Sequence, residues 1–215
     1  ATEEEVLDGV LQLGEACRWM REWDECDECF SRAKEGYARL LGEDSSKAVL
    51  AAFRVAGQLP SADDRIAEYR RLWEWAKATL PGEVVTFDIA NNLACDLDEG
   101  KGEYEEAKAF HLAALAGRRS LLGQDNKDTL QSLGNLGTVL HSMEDYEGSL
   151  DYFQQALRVQ EKVLGKTHPD TLATLMNVGS TYKIGLNDFT AAEEMFRLAL
   201  DGYEKSLGKN HEDTK

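Results

Sequence analysis

LGQDNKDTLQSLGNLG at 122–137 and LGKTHPDTLATLMNVG at 164–179 are one motif written twice, 42 residues apart. LGKNHEDTK opens it a third time at 207, after a step of 43. Upstream, Leu41-Gly42 begins LGEDSSKAV, and Pro81-Gly82 marks the joint in between. A period of this length belongs to solenoid repeats, in which each unit buries its apolar face on its neighbours. The repeats are then 1–40, 41–79, 80–121, 122–163 and 164–206, with the start of a sixth at 207–215. Together, residues 1–215 read as one solenoid domain.

Each repeat carries two helical segments. The first holds a small residue at a fixed place: Gly14, Ala56, Ala94, Gly137 and Gly179. A small side chain there lets a second helix approach closely. The second segment opens on an aromatic (Trp23, Tyr104, Tyr146, Phe189), followed by a small residue at Cys26, Ala107, Ser149 or Ala192. Next come Phe30, His111, Phe153 or Phe196, and then Ala33, Ala114, Ala156 or Ala199. Steps of three, four and three place these positions on one helix face, so the pattern predicts a buried stripe that includes Trp23. The fold class is all-α, a solenoid of helix–turn–helix hairpins.

Loop chemistry agrees with that reading. Gly42, Gly123, Gly165 and Gly208 each follow a helical pattern, where a left-handed cap wants glycine. Pro169 and Asp170 fall in the first turn of the next helix, as do Asp128 and Asp213 at the matching place. The second repeat departs from the rule. Its opening aromatic is Asp63, its small slots are Ile66 and Trp73, and Arg70 stands where Phe is expected, which predicts a distorted hairpin. Trp73 and Trp75 are two residues apart on one helix, so one should be buried and the other exposed.

Composition narrows the function. The 215 residues carry 24 basic and 40 acidic side chains, a net charge of −16, which disfavours nucleic acid and anionic membrane as partners. No apolar run is long enough for a membrane span. The chain begins at Ala1 with no signal-like segment and contains four cysteines. It therefore reads as a piece of a longer protein from a reducing, cytoplasmic compartment. Cys26 and Cys29 form a CxxC with Cys17 upstream, but no histidine lies nearby, and core packing accounts for Cys17 and Cys26. His111, His141, His168 and His211 pair with no nucleophile set, and no glycine-rich phosphate loop is present. The sequence predicts no metal, no cofactor and no enzyme.

The quoted stretches carry a resemblance. LGKTHPDTL at 164–172, NNLA at 91–94, GNLG at 134–137 and GEYEEA at 102–107 resemble the kinesin light chain type of tetratricopeptide repeat (TPR). The likeness is strong over 80–215, fair over 1–40 and weak over 41–79. It implies a right-handed superhelix whose concave groove is lined by the first helices. It also implies a groove-facing residue just before the Leu of N-L-G, whose amide can meet an extended peptide. Those positions are Gln12, Arg54, Asn92, Asn135 and Asn177, with Thr138 and Ser180 three residues beyond the last two. A side-chain amide donates and accepts at once, which suits a peptide bond in either orientation. The neighbouring positions lack the paired cations that a terminal carboxylate or an acidic cargo peptide wants. The expected partner is a protein or peptide, neutral or basic. The alternative is a structural subunit of a larger complex, contacting folded neighbours through convex and end surfaces.

Overall fold

The computed structural model describes residues 1–208, and the rest of the predicted sixth repeat, including His211 and Asp213, lies outside them. Ten α-helices alternate in the order the repeats predict, and no strand occurs among the described residues. They are α1 Glu3–Met20, α2 Trp23–Leu41, α3 Ser46–Ala56, α4 Ala62–Thr79 and α5 Val84–Lys101. Then follow α6 Tyr104–Leu122, α7 Lys127–Ser142, α8 Tyr146–Val163, α9 Pro169–Ile184 and α10 Phe189–Leu207. The chain forms two compact bodies, one of α1–α5 and one of α6–α10, dividing after Lys101.

The LG…DT signature has a structural cause. Gly42, Gly123 and Gly208 end helices with φ near +90° and an extended ψ of 153°, 169° and 157°. That corner of backbone space is open only to glycine, so the stop is stricter than the left-handed cap that the sequence suggested. Six residues later a buried threonine hydroxyl reaches back. Thr129 Oγ1 donates to the Gly123 carbonyl at 2.8 Å and Thr171 Oγ1 to Gly165 at 2.9 Å, as Thr86 Oγ1 does to Leu80 at 2.6 Å. Side-chain caps start the helices: Thr2 and Glu5 form a reciprocal capping box, Ser45 accepts from the backbone N–H three residues on, and Asn126 and His168 accept from the one two residues on. The four-residue stop and start is thus fixed from both sides.

The small residues act as predicted. A Cβ on Gly14 would stand 2.7 Å from the Phe30 ring, one on Gly137 2.6 Å from Phe153, and one on Gly179 2.7 Å from Phe196. These are the helix–helix locks of the first, fourth and fifth repeats. Where the aromatic is replaced, by His111 in the third repeat, the small position carries Ala94 instead. Cys26, Ala33, Ala107, Ala114, Ser149, Ala156 and Ala199 are all fully buried.

The opening aromatic is less buried than expected. Trp23 is 52 % and Phe189 64 % exposed. This residue sits at the first turn of its helix and is covered only where the next hairpin's turn reaches it, as Gly185 does over Tyr146. Trp73 and Trp75 are both half-buried, so neither is the core residue nor the free anchor that spacing predicted. Trp75 Nε1 donates to Asp44 at 3.1 Å, and the Lys77 ammonium lies 5.7 Å from the Trp73 ring centroid.

The second repeat is distorted, for a reason the sequence register missed. Tyr69, not Arg70, takes the Phe place: it is 2 % exposed and its ring lies 5.6 Å from that of Phe53. Leu72 and Ala76 then complete the buried stripe, and Arg65 falls into the slot that holds Cys26, Ala107, Ser149 or Ala192 elsewhere. An arginine and a leucine in slots built for small residues keep α4 from nestling on α3. Accordingly α3 touches α4 far less than α1 touches α2, and α3 stops after 11 residues where α1 and α5 have 18. That deficit is about 10 Å of helix axis.

Candidate functional site

The space vacated by the short α3 is a pocket of about 230 Å³ in the first body. Its walls come from the first helices α1, α3 and α5, through Arg18, Arg54, Asn92 and Cys95, and from α4 through Arg65 and Tyr69. Gly57, just past the end of α3, adds no side chain; a Cβ there would lie 3.1 Å from the Tyr69 hydroxyl.

Arg65 and Asp96 form the pocket's fixed wall. Nη2 donates to Asp96 Oδ1 at 2.6 Å and Nε to Oδ2 at 2.9 Å, while Nη1 reaches the Leu59 carbonyl at 3.0 Å. One guanidinium therefore ties the α3–α4 loop to α5. The Asp96 hydrogen bonds hold Arg65 above its ordinary pKa, against the opposing effect of burial. Beside it, burial pushes the Tyr69 phenol up, partly offset by its hydrogen bond with the Asn92 amide. Arg54 Nε lies 2.5 Å from Glu15 Oε1 but out of line with it, so this buried N–H has no aligned acceptor. Arg18 is exposed and, among the described residues, makes no side-chain hydrogen bond or ion pair.

Of the residues singled out by sequence, Arg54 and Asn92 meet at this pocket, together with Gly57 and Cys95 from the adjoining groove positions. Gln12 is exposed on α1 outside the pocket lining. Asn135 and Thr138 lie on α7, half-buried and exposed respectively, with the Thr138 hydroxyl donating to the Gly134 carbonyl at 3.2 Å. Asn177 is exposed and Ser180 half-buried on α9, which packs beside α7 in the second body. Arg65, Tyr69 and Asp96 were missed. Their signal was the failure of the second repeat to fit its own pattern.

The cysteines are all free thiols. Burial pushes Cys17, Cys26 and Cys29 up in pKa, and the neighbouring Glu25, Asp27 and Glu28 carboxylates add to it. Cys17 draws together with Glu22 and Glu25, not with the CxxC, and its Sγ donates to Glu25 at 3.7 Å. A soft thiol kept protonated beside two carboxylates is a poor metal set.

The tetratricopeptide repeat family profile matches residues 86–162 and again 128–205, more than half of the chain. The chain belongs to the tetratricopeptide repeat family. Its motif and its structural neighbours resemble those of kinesin light chain type repeats. BtubC (BKLC) from P. vanneervenii is 18 % identical with a TM-score of 0.83, over 96 % of this chain and 83 % of that one. A kinesin light chain of Podospora anserina with nearly identical TPR-like repeats is 15 % identical with a TM-score of 0.76, over 96 % and 98 %. A Rap protein complexed with Competence and Sporulation Factor is 14 % identical with a TM-score of 0.66, over 95 % of this chain and 60 % of its own. No curated protein sequence matches the chain. TPR solenoids are protein-interaction scaffolds, and no helix among the described residues is long and apolar enough to cross a membrane.

Proposed function

We propose that this chain is a non-catalytic scaffold that binds a peptide or disordered protein segment along its first helices. The contacts are Gln12, Arg54, Asn92, Asn135, Thr138, Asn177 and Ser180. The reading is carried by the pocket in the first body: four positions selected by repeat register, 54, 92 and 95 on first helices and 57 just past the end of α3, surround one cavity. The Rap protein complexed with Competence and Sporulation Factor supports the same use of the fold. Asp88, Glu15 and the net charge of −16 favour a segment that is neutral or basic over most of its length. Four free thiols suit a reducing, cytoplasmic compartment.

A second reading, a structural subunit of a larger assembly, draws on the opposite side. There Lys34, Val49, Leu72 and Trp75 border a cavity of about 360 Å³ among α2, α3 and α4. Crosslinking mass spectrometry on the full chain in its native extract separates the two. Crosslinks from first-helix lysines to an unstructured partner segment, lost with Asn135→Ala plus Asn177→Ala, support the groove. Crosslinks to folded subunits from second-helix lysines, unchanged by that pair of substitutions, defeat it.

A further inference from the structure

The cavity of about 360 Å³ on the second-helix side shares no residue with the first-helix pocket. Its floor is α3, through Ala48, Val49 and Ala52, and its sides are Ala38 on α2 and Leu72 and Trp75 on α4. Repeat register explains the space. Four residues before Ala56, Ala94, Gly137 and Gly179 come Ala52, Ala90, Leu133 and Leu175. Leu133 and Leu175 are buried to 3 % and 5 % exposure, and Ala90 is fully buried. Ala52 alone of the four is half-buried. No leucine fills its place and no closed hairpin covers it, because α4 stands off α3.

The floor is apolar and the mouth is ionic. Ala48, Val49 and Leu72 are buried, so nothing at the bottom of the cavity can solvate a charge. At the mouth, Arg71 donates to Glu68 through Nε at 2.9 Å and Nη2 at 2.6 Å, so that pair satisfies itself. Lys34 and Glu43 also border the cavity, and neither makes an ion pair among the described residues. Lys34 acts electrostatically on Glu68, and Glu43 on Arg71. Lys34 lies about 10 Å of helix axis before Leu41, and Glu43 lies past the end of α2. The mouth therefore presents a cation at one end and an anion at the other.

We propose that this cavity receives one leucine side chain from a helix of a folded protein partner, in the place that Leu133 and Leu175 fill within their own repeats. The carrier rests on the second reading given under Proposed function; the cavity's choice of side chain does not. The partner helix lies across the mouth, with an acidic residue toward Lys34 and a basic one toward Glu43, about two turns apart. One charge of each sign at the rim selects against a segment that is strongly acidic or strongly basic throughout. The Trp75 indole, held by its 3.1 Å hydrogen bond to Asp44, is a rigid wall for the leucine. Leu40 and Leu41, 39 % and 41 % exposed at the end of α2, extend the apolar contact toward Glu43.

Methyl and indole NMR correlations of the full chain test this with three alanine-based helical peptides. The first carries one leucine, with glutamate four residues before it and lysine four after. The second has alanine for that leucine, and the third has glutamine for both charges. The first should shift the Ala48, Val49, Ala52 and Leu72 methyls and the Trp75 indole saturably, with a dissociation constant on the order of millimolar. The second should bind at least about 10-fold more weakly. The third should lose about 3-fold, as should the first peptide on Lys34→Gln, an exposed position. Ala52→Leu supplies the side chain from within, and should weaken the first peptide at least about 10-fold while the thermal midpoint holds or rises. The proposal is overturned if the alanine peptide shifts the same signals equally, or if the Trp19, Trp23 and Trp73 indoles respond as Trp75 does. Unchanged affinity in a folded Ala52→Leu chain, or in Lys34→Gln, overturns it as well. So does N-acetyl-leucine amide binding as tightly as the first peptide, which would replace the protein partner by a small apolar molecule. Peptide binding with no folded neighbour crosslinked to α2 or α4 sinks the second reading and leaves the choice of side chain standing. Folded neighbours crosslinked there, with no peptide bound, do the reverse.

Discussion

The Arg65–Asp96 pair is the structural reason the second repeat is open, and removing one partner should cost more than removing both. The side chains are 25 % and 17 % exposed, so solvent screens them only in part. Arg65→Ala strips the Asp96 carboxylate of a fork at 2.6–3.1 Å and the Leu59 carbonyl of its donor at 3.0 Å. Charged hydrogen bonds are worth about 1.5–3 kcal/mol, and an abandoned, mostly buried carboxylate adds to the loss, so the single change should cost about 2–3 kcal/mol. Asp96→Val leaves the guanidinium its loop carbonyl and more water, and should cost about 1–2 kcal/mol. The pair Arg65→Ala with Asp96→Val installs what other repeats use, Ala107 in the slot of Arg65 and Val139 in the place of Asp96. It should cost no more than about 1 kcal/mol, because apolar replacement of a buried ion pair is often neutral. The resulting coupling energy is at least about 2 kcal/mol. Urea unfolding followed by tryptophan fluorescence is the assay, since all four tryptophans, Trp19, Trp23, Trp73 and Trp75, lie in the first body. A double variant that loses as much as the two singles together would refute the account, and so would singles that lose less than about 0.5 kcal/mol.

Two glycines three residues apart on α7 should respond with opposite sign. Gly134→Ala enters open space and should stabilise the second body by about 0.5–1 kcal/mol through helix propensity. Gly137→Ala meets the Phe153 ring at 2.6 Å, and overpacking should outweigh propensity for a net loss of about 1–2 kcal/mol; thermal melts by circular dichroism read both. His111 is buried, its Nδ1 lacks a partner, and burial pushes its pKa from 6.5 down to about 4, with Arg118 contributing. The unfolded chain therefore takes up that proton first. The stability it contributes is complete above about pH 6.5 and is lost as pH falls toward 4, by up to about 3 kcal/mol. Urea midpoints at pH 7.5 and 4.5 should drop more for the native chain than for His111→Phe, and parallel drops would remove His111 as the cause.

Much of the architecture could be read from spacing, because the residues that make the joints are ones whose chemistry allows few substitutes. A helix stop with φ near +90° and extended ψ admits glycine alone, and the Phe30, Phe153 and Phe196 rings leave no room for a Cβ opposite them. Such positions repeat faithfully and announce the period. The turn inside each hairpin was legible as a polar break at 99–103, 143–145 and 185–188, but its left-handed backbone was not. Arg21, Glu144 and Asn187 all take positive φ at the same place, where Gly102 stands in the third repeat. Four different residue types fill that left-handed place, so the turn's geometry left no residue signature.

The pocket was hidden for a related reason. Register in the second repeat was anchored on the wrong residue: Arg70 was aligned with the phenylalanines because Asp63 stood where an aromatic opens the helix. Moving one position back makes the whole stripe consistent, with Tyr69 for Phe, Leu72 and Ala76 following, and Arg65 in the small slot. That shift turns an unexplained irregularity into a cause. A cation placed where the repeat demands a methyl group can be tolerated only with a counter-charge, and Asp96 supplies it at a position that is buried Val139 one repeat on. A lone Arg65 or a lone Asp96 would each be a defect; the two together hold a hairpin open beside Arg18 and Arg54. Local rules fail together at this one place, and the failure is compensated. The repeat is least regular where its geometry has been given over to something other than stacking.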